Sequence, residues 1–161
     1  MIRITELKLP LSAVPVEARR AADDFHAERL RVEENLKRSE SLLRVVADNL
    51  PAFVAYVSAP DLRYQFVNRK YAISFQRPRE QFIGQLVSGI LSESNFEFAW
   101  PYIERALNGE ACSYENTFML AEGQRWIEVN FVPDLDQTGK VNGIVILNHD
   151  VTERRQQEAE I

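Results

Sequence analysis

The chain is predicted to fold as an α+β domain, an antiparallel sheet with helices on one face, preceded by one long helix. Three observations carry this. From Val16 to Leu50 the apolar residues recur at spacings of four and three, a helical period. From Cys112 onward the period changes to two, the signature of half-buried strands. Between these segments lie two short β-rich runs and several helical pieces punctuated by Gly and Pro. The resulting order is helix, two strands, short helices, three strands, helix.

Residues 1–15 contain two prolines and no glycine, and Ile2 and Ile4 alternate with polar neighbours before Leu7, Leu9 and Leu11 shift the phase. A short strand or an irregular arm fits that pattern. Residues 16–50 lack Gly and Pro and are dense in charge. Read as heptads, their a and d positions include Phe25, Val32, Leu36, Leu43, Val46 and Leu50, interrupted by Arg29 and Ser39. So narrow a seam calls for a partner helix, which predicts a weak or adjustable coiled coil and hence a homodimer. The same stripe would serve a helix folded back on its own domain. Leu42, Val45 and Ala47 widen it near its end.

Pro51 ends that helix, because proline disfavours helical geometry in the residue before it. Phe53 to Val57 and Tyr64 to Val67, joined by Ala59-Pro60-Asp61, read as a hairpin. Asn68 is an N-cap for a helix from Arg69 to Phe75. Pro78-Arg79-Glu80, Gly84 and the Ser92 to Asn95 cluster divide the next stretch into short helices. Phe96 to Leu107 is a further helix, which Pro101 must kink or restart. Cys112, Tyr114, Asn116 and Phe118 form one face of a strand, and Ile127, Val129 and Phe131 one face of the next, across the Glu122-Gly123 turn. A loop from Pro133 to Val141 leads to a last strand, Gly143 to His149, and Thr152 to Ile161 starts a helix.

Composition narrows the function. In 161 residues, 45% hydrophobic content with 10% aromatics suffices for one packed core. With 19 Lys and Arg against 24 Asp and Glu, the net charge of -5 provides no attraction to a polyanion, so nucleic acid is not expected as a partner. No apolar run approaches the roughly 20 residues of a membrane span, so a cytoplasmic chain without direct membrane contact is expected. The single cysteine, Cys112, excludes an internal disulfide. His26 and His149 have no evident nucleophile beside them, and no enzyme is expected. Asp134 to Gly139 opens like a calcium loop, but Val145 stands where the twelfth-position Glu should be, and a hairpin turn fits better.

The ordered set Asn49-Leu50-Pro51, Tyr64-Gln65-Phe66-Val67-Asn68, Arg79-Glu80-Gln81-Phe82-Ile83-Gly84, Gly109, Arg125-Trp126 and Asp150-Val151-Thr152 resembles that of a PAS domain from about Leu42 to Glu158. Gln76 departs from the pattern, standing where relatives have glycine. The resemblance implies a five-stranded sheet in the order 2-1-5-4-3, a PAS domain over 51–152, and an outgoing signalling helix from 153. It implies a signal joint at Asp150 and Thr152, with Thr152 capping the new helix.

It also implies a pocket between the sheet and the helical connector. Tyr114, Asn116, Phe118, Ile127, Val129, Phe131, Ile144, Ile146 and Asn148 are expected to line it from the strands. Phe66, Phe82, Leu86, Phe98 and Tyr102 would cover them. A solid aromatic core is the other outcome such residues permit. Asn116 and Asn148 favour a ligand, since inward amides need hydrogen bonds. Haem-binding members carry a histidine in the helix that is here Phe96 to Leu107, which has none, and the photosensor cysteine motif is replaced by GQLVSGIL at 84–91. Haem and covalent flavin are therefore disfavoured, leaving a small, mostly apolar ligand. The outward Trp126, Val145 and Leu147 would join the helix seam in the dimer interface. The expected function is the sensory and dimerisation input of a signal-transduction protein whose attached output domain, a histidine kinase, cyclase or regulator, lies outside this chain. A ligand-free dimerisation module, or a small enzyme or carrier with a curved-sheet pocket, are the alternatives.

Overall fold

The computed structural model describes residues 10–160. Ile2, Ile4, Leu7 and Leu9, which prompted the expectation of a strand or irregular arm, lie outside them, as does Ile161. The chain divides into two compact units, Met1–Leu43 and Arg44–Ile161.

The first unit holds a 3-10 turn at Leu11–Ala13 and most of α1 (Val16–Asp48). The absence of Gly and Pro lets the helix run unbroken, and Arg29 Nε donates to Glu33 Oε1 at 3.2 Å, one turn on. Phe25, Val32, Leu36 and Leu43 are exposed along it. The helix stops at Asp48, two residues before Leu50. The Asn49 and Leu50 amides bond back to the Val46 and Ala47 carbonyls at 3.2 and 3.4 Å, tightening the last turn ahead of Pro51.

The second unit continues with β1 (Phe53–Ser58), β2 (Tyr64–Val67), α2 (Arg69–Ser74), a 3-10 turn (Arg79–Gln81), α3 (Val87–Ile90) and α4 (Glu93–Leu107). β3 (Cys112–Leu120), β4 (Gly123–Leu135), β5 (Val141–Asp150) and α5 (Thr152–Ala159) complete it. The sheet order is β2-β1-β5-β4-β3, every neighbour pair antiparallel, as expected. Cross-strand pairs such as Val57 with Ile144, Phe131 with Ile146 and Val129 with Tyr114 build one apolar face. Tyr71 and Ala72 of α2, Val87 of α3, and Ala99, Ile103 and Ala106 of α4 close over it in a single buried cluster.

Asn68 holds this unit together at its entry. It caps α2 by accepting from the Tyr71 amide at 3.0 Å and also accepts from the Val54 amide at 3.0 Å. Its Nδ2 donates to the carbonyls of Ala47 and Ala52, both at 2.8 Å. The end of α1, the start of β1 and the start of α2 thus share one buried side chain. Beside it, Arg79 Nη2 meets Asp48 Oδ1 at 2.5 Å.

Three boundaries differ from the sequence reading. Ser92 is the N-cap of α4, accepting from the Asn95 amide at 3.2 Å, so this helix starts at Glu93, three residues before the expected Phe96. The helix passes through Pro101, and the Glu97 carbonyl that loses its partner belongs to an exposed residue that water can serve. Pro133 lies within β4, where β3 no longer pairs beyond Phe131, so the missing N–H faces an unpaired edge.

Gln76 adopts a φ of +54°, the left-handed conformation that glycine takes without a Cβ clash. Replacing Gln76 with glycine is expected to stabilise the domain by about 0.5–1 kcal/mol, the relieved strain less the entropy returned to the unfolded chain. A urea midpoint that fell would show that the Gln76 side chain contributes more than its backbone costs.

Candidate functional site: a core cavity beside the strand-to-helix joint

Between the inner sheet face and the helices lies a cavity of about 40 Å³. At roughly 10–15 Å³ for each water-sized occupant, it has room for about three waters. Tyr114, Phe118, Ile127, Val129, Phe131, Ile144, Ile146 and Asn148 line it, on the face that strand alternation assigns them. A haem or flavin ring does not fit this space.

The remaining expected pocket residues lie elsewhere. Phe66 pairs with Tyr56 after a register shift that leaves Gln65 as the extra residue, and this bulge puts Phe66 on the opposite sheet face from Tyr64. Phe82 is fully buried behind the cavity wall, edge-on to Tyr64 and Tyr71 at centroid distances of 5.5 and 5.7 Å. Leu86 is the exposed N-cap residue of α3, and its neighbour Val87 points in instead. Phe98 is exposed on α4, whose lining residue is Ile103. Tyr102 stacks on Tyr114 at 4.5 Å without reaching the cavity. Asn116 Nδ2 donates to Asn95 Oδ1 at 3.3 Å, which occupies the amide with protein.

Phe53, Val57, Leu62, Tyr64, Tyr71, Ser74, Phe75, Val87, Leu91, Ile103 and Leu120 complete the wall. Phe53 and Val57 follow from the same alternation applied to β1, and Tyr71 with Phe75 from their i, i+4 spacing. Leu62 has no such signal, since its position depends on a turn in which its φ is +58°.

The cavity is apolar apart from a few atoms. The Tyr64 and Tyr71 hydroxyls lie 2.6 Å apart, one donating to the other. Burial pushes the Tyr71 hydroxyl well above its usual range and Tyr64 up to about 12 despite the opposing bond from Tyr71, so both stay neutral. Asn148 Oδ1 is buried and has no hydrogen-bond partner.

Two residues after Asn148 the joint begins. Asp150 Oδ1 accepts from the Thr152 amide at 3.0 Å, and Oδ2 accepts from Arg125 Nε at 2.7 Å. Thr152 does not cap α5 as expected. Its Oγ1 accepts from the Trp126 amide near the start of β4 at 2.8 Å, and Asp150 takes the bond from the first amide of the helix. α5 then lies on the outer sheet face. Arg155 bonds Glu115 at 2.8 Å and covers the Trp126 ring at 3.5 Å, and Arg154 also meets Glu115. Trp126 is thus covered from within the chain, while Val145 and Leu147 are half-buried. Of the seam residues in this unit, Val46 and Leu50 are exposed.

Burial raises the Asp150 carboxyl, but the Thr152 and Arg125 hydrogen bonds outweigh it and hold the group below the usual carboxylate range. Asp48 is lowered against burial in the same way by Arg79 and the Arg69 amide, and Glu115 chiefly by Arg155. Carboxylates depressed by folding stabilise the folded state above the unfolded pKa near 4, and that contribution fades as pH falls through the lower folded values. The urea midpoint is therefore expected to drop on acidification below about pH 4, and the drop to be shallower in Asp150→Asn. Parallel curves for the two proteins would remove Asp150 from the acid response.

A five-stranded antiparallel sheet in this order, with its helices over a small internal cavity and a helix leaving the central strand, defines a single-sheet α+β domain with a helix-covered core. The chain belongs to the PAS family, whose description, PAS fold, matches residues 47–156. No curated protein matches the sequence. Among solved structures, the chain is similar to a sensory box sensor histidine kinase from Vibrio cholerae, at 20% identity and a TM-score of 0.53, covering 74% of this chain and 97% of that one. It is similar to an RNA-binding Light-Oxygen-Voltage receptor, at 20% identity and a TM-score of 0.62, covering 74% and 34%. VqmA of Vibrio cholera, in a complex with ligand and DNA, matches at 17% identity and a TM-score of 0.56, covering 71% and 51%. This chain thus spans about a third of the receptor and half of VqmA.

These structures correct the expectation that nucleic acid is no partner, since proteins of this fold include one bound to DNA and one that binds RNA. The net charge of -5 is summed over this chain alone. It says nothing about contacts made by the rest of a longer protein. Among the described residues, no helix is long and apolar enough to cross a membrane.

Proposed function

We propose that the chain is a cytoplasmic sensory and dimerisation module that passes a signal from its core cavity to an attached output domain. The observation that carries this is the buried, unpartnered Asn148 Oδ1 on the cavity wall, two residues before the Asp150–Thr152 joint on the same strand. A ligand satisfying that oxygen would favour one position of the end of β5, and it can shift the joint only by its differential affinity for the two positions. Asp48 and Leu50 at the end of α1 border the same surface groove as Arg125, Asp150 and Glu153, which supports coupling between the helix entering the domain and the one leaving it. The exposed seam of Phe25, Val32, Leu36, Leu43, Val46 and Leu50 supports a homodimer through α1.

Native mass spectrometry of protein from its host, with a thermal-shift screen of small metabolites, tests the sensing reading. A retained or stabilising ligand that alters hydrogen exchange at the Trp126 amide, the donor to Thr152, is the expected result. No ligand at all would leave a dimerisation module, a reading that the small cavity favours. Deleting residues 1–40 is expected to give a monomer by light scattering. A truncated chain still dimeric at micromolar concentration would move the contact to the sheet.

A further inference from the structure

We infer that the ligand is a small neutral molecule that donates a hydrogen bond to Asn148 Oδ1, and that anions are excluded. This rests on the ligand-sensing reading above and specifies the chemistry of the same cavity. No Asp, Glu, Lys, Arg or His lines the wall, so a charged ligand would be desolvated there without a counter-ion. Among the described residues, the one buried side-chain polar atom on the wall without a partner is an acceptor, and an acceptor selects a donor.

The tyrosine pair adds a complementary feature. When one hydroxyl of the Tyr64–Tyr71 pair donates to the other, the second hydroxyl keeps a proton that its partner does not take. A ligand with a hydroxyl, or with adjacent donor and acceptor atoms, could serve both this proton and Asn148. Room for about three waters fits about three non-hydrogen atoms, so a small ring is admitted only as the half-buried Phe75, Leu91 and Leu120 move aside.

Three probes of one ring size separate these features: phenol, which donates and accepts; anisole, which only accepts; and benzoate, which is anionic at neutral pH. Binding to the full chain is followed through the methyl resonances of Ile127, Val129 and Ile146. Phenol is expected to bind at least tenfold more tightly than anisole, benzoate not to bind, and the phenol preference to collapse towards one in Asn148→Leu. The wild-type comparison stands even if that variant fails to fold. Equal binding of phenol and anisole would overturn the donor requirement and show the amide presenting its N–H2 group. Binding of benzoate would overturn the exclusion of anions. Either result leaves the cavity as a ligand site and the sensing reading intact, whereas failure of all three probes would show that the wall does not open to a ring and would overturn the inference.

Discussion

Replacing Asn68 with leucine is expected to destabilise the domain by about 4 kcal/mol or more, enough to unfold much of a marginally stable protein. The side chain is fully buried and makes four hydrogen bonds. Its loss leaves the Val54 and Tyr71 amides and the Ala47 and Ala52 carbonyls without their partner at a site water does not reach. Asn68→Asp separates the two halves of the effect, because a carboxylate can accept from both amides but confronts both carbonyls with negative charge. It is expected to lose roughly 2–4 kcal/mol. The readout is urea unfolding. A loss below about 1 kcal/mol in Asn68→Leu would mean that water replaces the side chain and that α1 is not fastened through it.

The second large effect lies on the central strand. Gly143→Val is expected to cost about 3 kcal/mol or more, at the upper end of overpacking losses. A Cβ at position 143 would collide with the Tyr56 ring end and come within 2.7 Å of the Val57 carbonyl. The tyrosine could turn aside by giving up its bond to Asp134 Oδ2, now 2.8 Å. The carbonyl could not, because it belongs to β1 and moves only if β1 and β5 separate. Gly143→Ala combined with Tyr56→Ala should accordingly recover only part of the loss of Gly143→Ala. Full recovery in denaturant melts would show that the ring, and not the strand backbone, sets the requirement for glycine.

Much of this fold was legible in the one-dimensional pattern, because hydrophobic period is a local property. The spacing along Val16 to Leu50 specified a long helix, and the alternation in Ile127, Val129 and Phe131 specified which side of β4 would be buried. Asn68 signalled a helix cap through chemistry that acts within a few residues. The ordered motifs then pointed to the PAS family and its strand order.

Tertiary structure decided the cavity's membership and the wiring of the joint. Phe66 has the right residue type and the right nominal parity, yet the bulge at Gln65 reverses its face, and a bulge is set by pairing with β1. Tyr64 on β2 and Tyr71 on α2 meet through their hydroxyls, a contact between two elements that the period of neither one predicts. Thr152 looked like a helix cap on local grounds, but its hydroxyl accepts from the amide of Trp126, brought beside it by the β4–β5 register. Periodicity says which face of an element is apolar. Which polar atom finds a partner across space, and which is left without one as Asn148 Oδ1 is, depends on distances that exist only once the strands have paired.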